Sequence, residues 1–291
     1  MQALEAALKA GVVVVTPDSY PSLLVQVPSP PPALFAWGEW ACLAAPTVAM
    51  VGTRHASAYG RATAQKFAEE LARAGVTIVS GGAIGIDAAA HKGALQAGGK
   101  TTAVFGTGID GVYPALHRGL FEQIRANGCL VSQFAVGSRS HRQHFLVRNS
   151  LVAALSRAVL VVEAPFASGS INTAHAANEL GRQVFVVPAT IDHENFRGSH
   201  DLIRAGATLV DHPNQILDDL GIPRASSAPA PLSQASEIQQ KILAQMTVAP
   251  LAAEFIAERT GIDPAEVMSE LTMLELEGRI LRAAGGYALK P

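Results

Sequence analysis

Five short apolar runs constrain this chain more than any other feature: Val48-Ala49-Met50-Val51, Val76-Thr77-Ile78-Val79, Thr102-Ala103-Val104-Phe105, Val159-Leu160-Val161-Val162 and Val184-Phe185-Val186-Val187. Each is followed by a glycine-bearing turn and then an alanine-rich helical pattern. Strands apolar on both faces need cover on both sides. The expected fold is therefore α/β: a Rossmann-like parallel sheet with helices on both faces. The helix from Gly60 to Ala74 is the clearest, and it stops at Gly75, as a helix end favours glycine.

Two changes of texture divide the chain. Residues 1–46 start with a short helical pattern and become proline-rich through Pro28-Ser29-Pro30-Pro31-Pro32, which reads as an extended lead-in. The sheet domain is expected over 47–218. Ala225-Ser226-Ser227-Ala228-Pro229-Ala230-Pro231 is too small-residued to pack, so 219–235 reads as a linker. Over 236–291 the order is helix, helix-turn-helix about Gly261-Ile262-Asp263-Pro264, and a hairpin from Arg279 to Leu289. That order is the order of a winged helix.

Cys42 and Cys129 are the two cysteines among 291 residues, and neither has a second thiol or histidine at ligand spacing. Neither a disulfide framework nor a metal site is expected. No apolar stretch approaches the roughly 20 residues that span a bilayer, and no leader pattern is present, so a cytoplasmic protein is expected. A net charge of −2 excludes coating nucleic acid by bulk positive charge. Between Gln123 and Val162, however, there is no acidic residue, while Arg125, Arg139, Arg142, Arg148 and Arg157 all fall there.

In an open parallel sheet, ligands bind beyond the carboxyl ends of the strands. The turns there read Gly52-Thr53-Arg54, Ser80-Gly81-Gly82, Gly106-Thr107-Gly108, and Glu163-Ala164 followed by Ser168-Gly169-Ser170. Small residues let the backbone approach a ligand, and helix starts favour anions. The rim thus reads as a phosphate-binding shelf with Arg54 as its cation, although each glycine alone also serves a tight turn. The segment Ser138 to Asn149 reads as a basic loop. In it Arg139, Arg142 and Arg148 can neutralise phosphates, Phe145 can stack on a base or pack in the core, and Asn149 can reach a base edge.

Other chemistries fit less well. Gly106-Thr107-Gly108-Ile109-Asp110-Gly111 approaches a dinucleotide fingerprint in letters, but Val112-Tyr113-Pro114 interrupts the helix that would receive the pyrophosphate. Asp87 and His91 share a helical face at i, i+4, a spacing that suits an acid–base pair or a helix-start carboxylate hydrogen-bonded to a histidine. His141 and His144 lack a third ligand and read as part of the basic loop. Neither a dinucleotide site nor a catalytic residue is expected from these residues.

These residues resemble the DprA/Smf family. The resemblance runs from about Tyr20 to Val210 through Tyr20-Pro21-x-x-Leu24, Val51-Gly52-Thr53-Arg54 with Ser57 and Tyr59-Gly60, and Ser80-Gly81-Gly82-Ala83 with Gly85-Ile86-Asp87-Ala88-Ala89-Ala90-His91. It continues through Tyr113-Pro114, Phe145 with Arg148-Asn149, Val162-Glu163-Ala164, Ser168-Gly169-Ser170 and Leu202-Ile203-x-x-Gly206-Ala207. The resemblance implies a protein that binds single-stranded DNA and loads a RecA-type recombinase during natural transformation, as a homodimer, with no cofactor and no established catalytic reaction. It implies a DNA pocket at Arg54, Gly81, Gly82, Gly106, Gly108, Phe145, Arg148 and Asn149. It also implies that the amino-terminal helical module of many relatives is missing or vestigial.

Ile84 stands where the family usually has a basic residue, and Ser150 where a second arginine is usual. The presumptive recognition helix carries Glu266, Glu270, Glu275 and Glu277, which repel phosphate, leaving Arg279, Arg282 and Lys290 for ancillary contacts. Two other functions compete. One is a phosphoribohydrolase-like nucleotide-processing enzyme, whose Pro-Gly-Gly-x-Gly-Thr segment is replaced here by Ala164 to Ser170; the other is a protein-interaction scaffold acting through the winged helix.

Overall fold

The alternation of burial along the strands sets the layers. Val48, Met50, Leu160 and Val162 point to one side of a sheet, where they meet Phe67, Leu71, Ile86 and Ala90. Ala49, Val51, Val159 and Val161 point to the other, where they meet Leu151, Val152, Ala174 and Ala177. The structure is a computed structural model and describes residues 2–224, 236–247, 250–276, 279–283 and 285–289.

The chain falls into two units, Met1–Ala225 and Ser226–Pro291. In the first, α1 (Gln2–Lys9), β1 (Val12–Val15), α2 (Ser22–Val25) and β2 (Leu34–Gly38) precede the repeating part. Then follow β3 (Thr47–Gly52), α3 (Ala58–Arg73), β4 (Thr77–Ser80), α4 (Ile86–Gln96), β5 (Thr101–Gly108), α5 (Arg118–Asn127) and β6 (Cys129–Phe134). The unit continues with α6 (Arg142–Ala154), β7 (Ala158–Glu163), α7 (Gly169–Glu179), β8 (Gln183–Val186), α8 (Arg197–Arg204), β9 (Thr208–Leu209) and α9 (Pro213–Asp219). The strand order is β1-β2-β6-β5-β4-β3-β7-β8-β9; β6 to β9 pair in parallel and β1 and β2 are antiparallel.

Helix α3 shows why the layers hold. Ser57 caps it by accepting from the Gly60 amide at 2.9 Å, and Ala64, Phe67, Ala68 and Leu71 make one buried stripe at helical spacing. On the same side of the sheet, Phe185 of β8 is fully buried in the layer of Phe67 and Leu71, and truncating it to alanine would cost about 3–5 kcal/mol. Leu120, Phe121 and Ile124 of α5 extend the α3–α4 layer over Ala103 and Phe105.

Three expectations need correction. The lead-in is not merely extended: Val12–Val15 and Leu34–Gly38 form the edge of the main sheet, and Leu24, Leu34 and Ala36 are fully buried. Gly106-Thr107-Gly108 is not a turn after a strand but the end of β5, whose pairing with β6 shifts register between Phe105 and Gly108. The basic loop is mostly helix: α6 begins at Arg142, with His141 as its N-cap accepting from the Gln143 amide, and the sequence did not show it because the buried apolar positions come only at Leu151 and Val152, after the buried Arg148.

The second unit runs α10 (Glu237–Gln245), α11 (Ala253–Thr260), α12 (Pro264–Leu276), β10 (Ile280–Ala283) and β11 (Gly286–Leu289), in the order expected from the sequence. It has its own core, in which Ile242, Ile256, Val267, Leu271 and Leu274 are fully buried. The linker stretch Ala225 to Pro231, Glu277 and Lys290 lie outside the described residues.

Candidate nucleic-acid interface

The chain builds β3, β4, β5 and β6 outward in one direction and then returns to place β7 on the other side of β3. The loops leaving the carboxyl ends of β3 and β7 therefore diverge, which opens a crevice at this switch point. An open cleft of about 740 Å³ lies there, with Gly52, Arg54, Gly81, Phe145, Arg148 and Ser168 among its lining residues.

Its floor holds a buried charge pair. Arg148, projecting from α6, donates from Nη1 to the Val104 carbonyl at 3.3 Å and stands 4.0 Å from Oδ2 of Asp87. Asp87 in turn accepts from the amides of Gly81 at 3.1 Å and Ala83 at 3.2 Å. Burial pushes the Asp87 carboxyl above the usual range, opposed by the Arg148 guanidinium and these amides. Burial pulls Arg148 down, with Asp87 opposing. An arginine stays charged in proteins, so Asp87 compensates a cation that the fold has stripped of water. Nε of Arg148 has no protein partner.

Above this floor lies Phe145. The Arg54 guanidinium is 5.4 Å from its ring centroid and that of Arg148 is 5.8 Å away, and Tyr113 approaches at 5.5 Å. Gly106 makes room for the ring, since a Cβ there would lie 2.8 Å from Cδ1 of Phe145. Phe145 is half-buried and lines the cleft, so its ring both packs and faces the site.

The loop carrying Arg54 is fixed by an uncharged set of donors around a buried carboxylate. Glu163, at the end of β7, is fully buried; its side chain accepts from the Ser57 amide at 3.0 Å, the Ser57 hydroxyl at 2.8 Å and Nδ2 of Asn195 at 2.7 Å. Asn195 also donates to the His55 carbonyl at 3.2 Å, and the Thr53 amide donates to the Glu163 carbonyl at 2.7 Å. Arg54 is left exposed at the rim of a held backbone.

Nine of the residues singled out in the sequence line this cleft: Gly52, Arg54, Gly81, Arg142, Phe145, Arg148, Asn149, Ser168 and Gly169. Four do not. Gly82 makes space for the Phe121 ring and its carbonyl pairs with Nδ1 of His117 at 3.0 Å. Gly106 sits beneath Phe145, Gly108 packs against Ala135 and Gly137, and Arg139 is exposed in the loop before α6. Asn149 donates from Nδ2 to the Gly169 carbonyl at 3.1 Å, tying α6 to the start of α7.

Asp87 and His91 do not pair. Nδ1 of His91 lies 2.7 Å from the Thr101 hydroxyl, and His144 stacks on Phe134 with centroids 4.0 Å apart. Ser150 and Gln133 face a different groove, between α6 and Pro28 to Pro32, so serine at position 150 takes no cation from the cleft. Among the described residues no cluster of His, Cys, Asp or Glu is arranged to hold a metal ion, and no helix is long and apolar enough to cross a membrane. Asn195 and Phe166 gave no motif in the sequence, and Glu163 stood there only as part of the turn after its strand: Glu163 and Asn195 are 32 positions apart and meet only through the fold.

Residues 11–221 match the family model of DNA recombination-mediator protein A, and residues 226–286 match the DprA winged helix domain. The chain is 45% identical over 212 residues to the Smf protein of Synechocystis, covering 71% of this chain and 53% of that one. It is 39% identical over 279 residues to the Smf protein of Escherichia coli, covering 93% and 75%. It thus spans about half the length of the first relative and three quarters of the second. Among solved structures, DNA processing protein A from Streptococcus pneumoniae superposes with a TM-score of 0.69 at 38% identity, covering 74% of this chain and 77% of that one. DNA processing protein A from Helicobacter pylori, described for its single-stranded DNA binding mode, superposes with a TM-score of 0.66 at 29% identity, covering 72% and 95%.

Proposed function

The chain belongs to the DNA recombination-mediator protein A family, and from that premise we propose that its switch-point cleft binds single-stranded DNA and that the protein loads a RecA-type recombinase onto it during DNA uptake and recombination. One observation carries the binding step: two guanidinium groups, Arg54 and Arg148, flank the Phe145 ring over a glycine-walled floor. Guanidinium groups neutralise phosphates, and an aromatic ring offers a face to bases that only a single strand leaves free. The acid nearest the floor, Asp87, is already engaged by Gly81, Ala83 and Arg148, so it leaves the cleft cationic.

The protein acts in this reading by binding, without a catalytic step or cofactor, as a cytoplasmic homodimer. Asp87 and His91 support it, since each is committed to a different partner. The test is anisotropy of labelled oligothymidine and a matched duplex across a salt series, with Arg54→Ala in parallel. Single-strand-selective binding is expected, and the mutant's salt slope should fall by about 0.7 for one lost phosphate contact. Base release from a nucleoside monophosphate, with no strand binding at low salt, would overturn it. Sedimentation tests the dimer, and recombinase filament growth on coated single strands tests loading.

A further inference from the structure

We propose that Phe166 is a stacking platform for an unpaired base, a contact separate from the groups that hold phosphate; this rests on the single-strand reading of the same cleft. Phe166 lines the cleft with Arg54 and Arg148, yet it is 73% exposed, more than any other Phe, Tyr or Trp among the described residues. A single exposed apolar residue is ordinary on a protein surface. What distinguishes this one is its place and its mounting.

The ring rides on the turn Pro165-Phe166-Ala167-Ser168 between β7 and α7, closed by the Ser168 amide donating to the Pro165 carbonyl at 3.2 Å. Ala167 holds φ at +58°, a left-handed conformation that an alanine adopts only when its surroundings impose it. Both ends of the turn are tied down. The Ala164 amide donates to the Ser199 hydroxyl at 3.1 Å, and Ser168 caps α7 by accepting from the Ser170 amide. Phe166 is therefore displayed at a fixed point of a cationic rim, and among the described residues its ring has no aromatic or cation–π contact. Phe145 packs against Arg54, Arg148, Tyr113 and Gly106 and turns only part of its ring to the cleft, so Phe166 adds a second and more open face for a base. Every base has such a face, so this contact tolerates any sequence.

The test uses the full chain with a labelled oligothymidine and an abasic strand of equal length, which carries the phosphates without the bases. Phe166→Ala should weaken oligothymidine binding roughly fivefold or more, the lower end of one base–ring stack, and leave abasic binding unchanged. Phe166→Trp should retain affinity, and its added indole emission should be quenched by oligothymidine and not by the abasic strand. Unchanged oligothymidine affinity in Phe166→Ala, or equal losses on both strands, would overturn the proposal while the single-strand reading stood. Wild-type protein that binds neither strand would remove that reading and this one with it.

Discussion

The guanidinium of Arg148 occupies the space that a Cβ on Gly81 would need, and the Gly81 amide at the same time donates to the carboxylate of Asp87. Gly81 is thus a contact surface for a buried cation as well as a turn residue. Gly81→Ala should push Arg148 off the cleft floor and reproduce the binding defect of Arg148→Ala. A charge-assisted contact contributes about 1.5–3 kcal/mol, so both variants should lose roughly 10- to 100-fold in oligothymidine affinity. Titrations of the two variants side by side check this, and wild-type affinity in Gly81→Ala would separate Arg148 from the ligand.

Asn195 joins the Glu163 carboxylate to the His55 carbonyl, and so fixes the loop that presents Arg54. Asn195→Ala leaves Glu163 with fewer donors in a fully buried place and should destabilise the protein by about 1–3 kcal/mol. Strand affinity should fall as Arg54 loses its fixed position, and Asn195→Asp, which adds a like charge beside Glu163, should be worse on both counts. Urea unfolding and anisotropy on the same preparations check the pair of effects.

Strands β3, β4, β5, β7 and β8 were legible because each is a β-branched run covered on both faces. Cys129-Leu130-Val131-Ser132-Gln133-Phe134 was not, since its polar residues break the run, although Ser132 is fully buried and its hydroxyl donates to the Thr107 carbonyl. The prolines around position 30 hid β2 in the same way. Helix α6 read as a loop because Arg148, a buried cation, takes a place on the face where an apolar residue would have shown the helical period. The rim was readable from small residues after strands; which glycines line the cleft and which face Phe121 or Phe145 depends on packing that no local pattern carries.

His91 makes the fold sensitive to acid. The Thr101 hydroxyl donates to the Ile78 carbonyl at 2.8 Å, so Nδ1 of His91 donates to Thr101, and Nε2 faces the core without a partner. Burial, with the charges of His117 and Arg148, lowers its pKa from 6.5 to about 3. The unfolded chain takes up a proton below about pH 6.5 and the folded one does not, so this contribution to stability is present above that pH and is lost as pH falls toward 3. Between pH 7 and pH 5 it should amount to about 2 kcal/mol. His91→Gln should show a flatter pH dependence of urea unfolding by that amount, and an equal slope in both proteins would contradict the assignment.

The second unit should add little to strand binding. Glu266, Glu270 and Glu275 lie along α12, the helix that a winged helix would present to a major groove, and Glu266 and Glu275 are exposed. Carboxylates there repel phosphate and release no counterions on binding. On the hairpin, the Arg282 guanidinium lies 5.8 Å from the Tyr287 ring centroid. The first unit, with its own buried layers on both sides of the sheet, contains every residue of the cleft. Removing residues 225–291 should therefore leave oligothymidine affinity within a fewfold of the full chain and its salt slope unchanged. A tenfold loss in the truncated protein, with its thermal transition intact, would assign the winged helix a share of the strand.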